Sequence, residues 1–152
     1  MPDRPLLDGI TVLDLASVGP AVRASRWLAD WGADVVKVGP VPKDAGVQIV
    51  PPTHAYSAHR GMRRVLLDLR SNGGRNAFLR LATAVDVVIE SFRPGVVDRL
   101  GIGFDDVRTV NPGIVYCSTT GYGQTGPRAD LAGPDLNYLA LGGHLPRLGR
   151  PR

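Results

Sequence analysis

The chain has 152 residues, 43% hydrophobic and 21% charged, an ordinary globular make-up, and a folded chain of this length buries about 70% of the surface its unfolded form exposes. The net charge of +4 comes almost wholly from arginine, spread along the chain with Lys37 and Lys43 the only lysines, so a massed nucleic-acid-binding face is not expected and a small phosphorylated ligand suits a few placed arginines better. No apolar run approaches the ~20 residues of a membrane span, Met1-Pro2-Asp3-Arg4-Pro5 carries no apolar leader, and the single cysteine, Cys117, has no internal disulfide partner, so no membrane association and a cytoplasmic location are the expectations.

Ile10 to Leu15 reads as a short strand interrupted only by Asp14. Pro20 suits the first position of a helix, in which Ala21, Ala24, Trp27, Leu28 and Trp31 recur at helical spacing and Gly32 marks the stop. Ala33 to Val38 is a second strand, giving one β-α-β unit with the usual right-handed crossover. Gly39 to Pro52 is a long Pro/Gly-rich loop. Val65 to Leu69 is a third strand, and Ser71 is a candidate cap for a helix through Ala77, Phe78, Leu81 and Ala82, with Gly73-Gly74 weakening its first turn. Val85 to Ile89 is a fourth strand, followed by a turn at Phe92-Arg93-Pro94-Gly95. Short helices follow over Val96 to Leu100 and Phe104 to Val110. Ile114 to Ser118 is a fifth strand, Thr120 to Pro127 a Gly-rich loop, and Asp135 to Leu141 a helix. This alternation predicts an α/β fold with a doubly wound, mostly parallel sheet.

The first strand-to-helix turn, Ala16-Ser17-Val18-Gly19-Pro20, holds one glycine rather than the three of a dinucleotide fingerprint. It therefore argues against a nicotinamide or flavin cofactor. Such a turn either lines a ligand crevice at the carboxyl edge of the sheet or merely connects. His59-Arg60-Gly61-Met62-Arg63-Arg64 offers guanidinium forks that match phosphate oxygens; the other reading is a solvated strand edge. Arg93 sits in a rigid turn at a strand's carboxyl end. Cys117 lies within an apolar strand and is expected to be a buried, inert thiol. His54, His59 and His144 lack metal-ligand spacing, so no metal is expected. Asp14 and Asp135 read as structural hydrogen-bonding groups.

Several segments, in this order, resemble the family III CoA-transferases of the CaiB/BaiF type, which also include the α-methylacyl-CoA racemases. They are Leu7-Asp8-Gly9-Ile10, Leu28 to Val38, Arg63 to Leu69, Ala84 to Gly95, Asp98-Arg99-Leu100-Gly101 and Gly121 to Pro127. The resemblance implies coenzyme A or an acyl-CoA as substrate, with no permanently bound cofactor, and a carboxylic acid as the second partner. It implies a Rossmann-like CoA-binding domain over 1–141 and a linker-like tail over 142–152, incomplete relative to the family. By motif position, Val18 and Gly19 would lie near the ligand. Ser91, Phe92, Arg93 and Arg99 would line its channel, and Arg60 and Arg63 would lie near the nucleotide end.

The resemblance places no catalytic residue within the chain. The family's nucleophilic aspartate would fall beyond Arg152, and the racemase histidine position is Pro134, which has no titratable group. Gly39 stands where the family often has an acidic residue, and Met62 where it often has lysine. The family resemblance further implies interlocked homodimers. The acyl-CoA-binding part of a truncated CoA-transferase is the expected function. A racemase-like fragment and a non-catalytic relic that at most binds CoA are the alternatives.

Overall fold

A computed structural model describes residues 4–16, 19–42 and 59–145. The first strand, β1 (Thr11–Asp14), carries Val12 and Leu13 in adjacent positions, both buried. Adjacent strand residues point to opposite faces, so this sheet is covered on both sides. Helix α1 (Pro20–Asp30) begins at the expected proline, whose missing N–H costs nothing at a helix start.

The inward face of α1 differs from the one its periodicity suggests. Ala21, Val22 and Ser25 are buried, whereas Trp27 and Trp31 remain 55% and 51% exposed. Small side chains let the helix backbone lie close to the valine-rich sheet, and two indoles facing inward would hold it off. The Ser25 hydroxyl is satisfied by donating to the Ala21 carbonyl at 3.1 Å.

Strand β2 (Asp34–Gly39) pairs in parallel with β1, with Asp14 opposite Lys37. Strand β3 (Arg63–Leu66) pairs with β2, Arg63 opposite Val36 and Leu66 opposite Gly39. It therefore starts earlier than the apolar run Val65 to Leu69. Its ladder closes where the Leu67 N–H donates to the Gly39 carbonyl at 2.9 Å, after which the chain turns at Asp68. Helix α2 (Asn72–Ala82) follows, with the Ser71 hydroxyl accepting from the Gly74 N–H at 3.0 Å as the cap.

Next come β4 (Val87–Glu90), α3 (Val96–Leu100), α4 (Phe104–Val110) and β5 (Val115–Ser118). The Asn111 side-chain amide, at the end of α4, donates to the carbonyls of Ala82 and Val85 at 2.9 and 2.8 Å. It ties that helix to the turn between α2 and β4. The five strands form one parallel sheet in the order β3-β2-β1-β4-β5.

Two apolar clusters flank this sheet. On one face Val12, Val35 and Ile89 pack with Ala21 and Val22 of α1. On the other, Leu13, Val38 and Val88 pack with Phe78 and Ala82 of α2, Val97 of α3 and Val107 of α4. Helices on both faces of a parallel sheet make it a doubly wound, Rossmann-like α/β fold. Cys117 departs from expectation: it is exposed. It lies on the edge strand β5, paired with Ile89, and its neighbour on the same face, Val115, is 60% exposed. That end of the sheet is open among the described residues.

The chain divides into two compact units, Met1–Thr119 and Thr120–Arg152. The sheet belongs to the first. In the second, α5 (Asp135–Leu141) is preceded by the extended Pro134, and the rings of Tyr122 and Tyr138 meet edge to face with centroids 4.9 Å apart. Most of the tail, residues 146–152, lies outside the described residues, as do 43–58 of the long loop. Among the described residues no helix is long and apolar enough to cross a membrane.

Candidate functional site

The strand order reverses direction between β1 and β4: β2 and β3 lie to one side, β4 and β5 to the other. In open α/β sheets such a reversal leaves a crevice at the carboxyl ends of the two central strands, because their following connections diverge to opposite faces. The residues after β1 and after β4 therefore line the part of the sheet edge best suited to a ligand.

After β1, the turn is held by a buried charge pair. Asp14 is wholly buried, and its Oδ1 accepts from the Ala16 N–H at 2.7 Å. Its Oδ2 stands 3.2 Å from Lys37 Nζ on the neighbouring strand, at ion-pair distance but without hydrogen-bond alignment. Burial pushes the Lys37 ammonium below its ordinary pKa; Asp14 opposes that shift and the charge of Arg64 adds to it. Gly19 ends the turn with φ 79° and ψ −154°, a backbone region open essentially to glycine alone. Val18 lies outside the described residues. Among the described residues no side chain caps the first turn of α1, whose amide groups carry the partial positive charge of a helix start.

After β4, the turn is held by a second buried carboxylate. Glu90 is 2% exposed, and its Oε2 accepts from the Phe92 N–H at 2.7 Å. The Glu90 carbonyl accepts from both the N–H and the hydroxyl of Thr119, each at 3.0 Å. This clamp presents Ser91 and Phe92 half-buried and Arg93 exposed. Arg99 reaches back over the turn, with its Nη1 at 3.2 Å from the position a Cβ on Gly95 would take. Gly19, Ser91, Phe92, Arg93 and Arg99 thus belong to the two connections that flank the switch point.

Arg60 and Arg63 stand at the opposite edge. Arg63 is the first residue of β3, and its guanidinium grips Asp34 with two hydrogen bonds, one of them Nε to Oδ1 at 3.0 Å. Arg60 is exposed, and its carbonyl accepts from Arg26, which also pairs with Asp30. The structure does not bring these two arginines together with the switch-point residues.

Three charged groups stand near the site: Asp14, which acts as the structural hydrogen-bonding group its sequence position suggested, and Glu90 and Arg64, to which the sequence assigned no separate role. Asp14 and Glu90 hold the two turns. Arg64 sits opposite Lys37 and points to the carboxyl edge that Arg63 leaves. The signal for it was strand alternation, which sends consecutive arginines to opposite faces. Pro134 immediately precedes α5, and Asp135 is the first residue of that helix. No group of three or more His, Cys, Asp or Glu side chains arranged to hold a metal occurs among the described residues.

The family model for CoA-transferase family III matches residues 7–152. The chain is 36% identical to the succinate–glutarate CoA-transferase of Agrobacterium fabrum, over 99% of this chain and 41% of that protein. It is 37% identical to the human α-methylacyl-CoA racemase, over 95% of this chain and 36% of the racemase. The crystal structure of Rv3272 from Mycobacterium tuberculosis superposes with a TM-score of 0.84 at 35% identity, over 98% of this chain and 41% of that one. The chain thus spans about two fifths of the length of these relatives. A match through both turns of the switch point and all five strands leaves one assignment: this chain belongs to the family III CoA-transferases.

Proposed function

We propose that the switch-point crevice binds coenzyme A or an acyl-CoA, and that the protein takes part in moving CoA between an acyl-CoA and a carboxylic acid in the cytoplasm. The observation that carries this reading is the convergence of the family's motif turns on one place. The turn after β1, ending in Gly19, and the turn after β4, with Ser91, Phe92, Arg93 and Arg99, flank the reversal of strand order. Val18, by its motif position, belongs to the same turn. Arg93 and Arg99 offer planar forks to phosphate, the half-buried Phe92 offers an apolar wall, and the start of α1 favours negative charge. As family members, two chains of the protein would interlock as a homodimer.

The transferase reading is preferred to the racemase reading on one feature. Pro134 occupies the position in which the racemases resemble each other by a histidine, and proline can take no proton. Asp135, beside it, is the first residue of α5.

Titration calorimetry with CoA tests the binding reading. The expected result is saturable binding that Arg93→Ala weakens about tenfold, the loss of one charge-assisted phosphate contact. Wild-type protein that takes up no CoA at millimolar concentration would refute it. Exchange of the α-proton of an α-methylacyl-CoA in deuterated water is not expected; measurable exchange would favour the racemase instead.

A further inference from the structure

The sheet carries a row of charge that reaches beyond the motif turns. Asp14, Lys37 and Arg64 are successive neighbours across β1, β2 and β3. Paired residues of parallel strands share a face, so all three point to the side on which Val12 and Val35 pack with α1. Asp14 and Lys37 are buried and form an ion pair. Arg64 is exposed, and its positive charge acts on Lys37. Asp14 balances Lys37 but nothing in the row balances Arg64, so the row carries one positive charge in excess.

Gly39 shows where that excess charge is displayed. It is the last residue of β2, and its backbone lies outside the left-handed region, so conformation alone does not call for glycine there. Space does. A Cβ on Gly39 would stand 3.1 Å from Arg64 Nη2, 3.2 Å from its Nε and 3.2 Å from Leu66 Cδ2. The Arg64 side chain thus extends forward along the sheet and lays its guanidinium over the bare end of β2, at the carboxyl edge. Among the described residues no carboxylate pairs with it, whereas its neighbour Arg63 is committed to Asp34 at the other edge.

We infer that Arg64, seated over Gly39 beside the Asp14–Lys37 pair, is an anion subsite that takes a phosphate group of the ligand. The inference rests on the CoA reading for the identity of that ligand, but its geometry is independent of the motif turns. Lys37 supplies field rather than contact, because it is buried and occupied by Asp14. Arg64 supplies the fork. Gly39 keeps the approach open; a Cβ there would press on the guanidinium, and an acidic side chain would neutralise it.

The test titrates the whole chain with CoA and, separately, with inorganic pyrophosphate. Arg64→Ala is expected to weaken both by about tenfold, as removal of one charge-assisted contact does. Gly39→Glu, which sets a carboxylate against the guanidinium, is expected to cause a similar loss while Arg64 remains. Arg80→Ala, on the exposed side of α2, removes the same charge elsewhere and is expected to leave both affinities unchanged. CoA binding that is equal in wild type, Arg64→Ala and Gly39→Glu overturns the subsite and leaves the CoA reading standing. Pyrophosphate binding that depends on Arg64 in a protein that ignores CoA supports the subsite and sinks the CoA reading. A wild-type protein that binds neither probe overturns both.

Discussion

Lys37 and Asp14 illustrate how one buried pair serves both stability and the site. The ammonium neutralises a carboxylate that is wholly buried and that fixes the turn after β1 through the Ala16 N–H. Replacing Lys37 by Met strands that charge and is expected to cost about 3–5 kcal/mol in chemical unfolding. The pH dependence follows from the direction of the Lys37 shift. Its pKa is lowered on folding, so the unfolded chain holds more protons between the lowered value and the ordinary 10.5. The contribution of this group to stability therefore rises with pH through that window. Below the window, where both states are protonated, the charge is held at a cost. Unfolding measured up to pH 10.5 should show this rise in wild type and not in an Asp14→Asn/Lys37→Met double variant; equal slopes would remove Lys37 as its source. Gly19 makes a different demand. Its φ and ψ suit glycine alone, so Gly19→Ala should cost about 1–3 kcal/mol, read as a lowered denaturant midpoint with an unchanged slope.

At the scale of elements, local sequence rules held where an element is defined by its own residues. The helices over Val96–Leu100, Phe104–Val110 and Asp135–Leu141 occupy the expected spans. The Ser71 cap also stands, and Ser71→Ala should cost about 0.5–2 kcal/mol, checked by equilibrium unfolding. Strand ends were less legible. β3 begins at Arg63 rather than Val65, and β4 covers Val87–Glu90 rather than Val85 to Ile89. A strand ends where its neighbour's ladder ends, and the neighbour is distant in sequence. The tryptophans of α1 show the same limit. Helical spacing marks Trp27 and Trp31 as one stripe, but which stripe turns inward depends on how closely the helix can approach the sheet.

For the molecule as a whole, charge is the available handle on binding. The net charge is +4, and the arginines proposed to meet the ligand are exposed. CoA binding should therefore weaken by several-fold or more as salt rises from about 0.05 to 0.5 M, since the screening length falls well below 10 Å over that range. Affinity indifferent to salt would remove the arginines from the binding account. The alternation of apolar strands and helices, the helix starts at Pro20 and Ser71, and the motif segments were all legible in the sequence, because each depends on neighbours along the chain. The two turns Ala16 to Pro20 and Phe92 to Gly95 could be named from it, but not their placement at one reversal of strand order. That placement, the exposure of Cys117 on an edge strand, and the division of labour between Arg63 and Arg64 required the tertiary structure. Parallel pairing joins residues far apart in sequence, and a shift of one residue in that pairing would have exchanged the faces on which the two arginines lie.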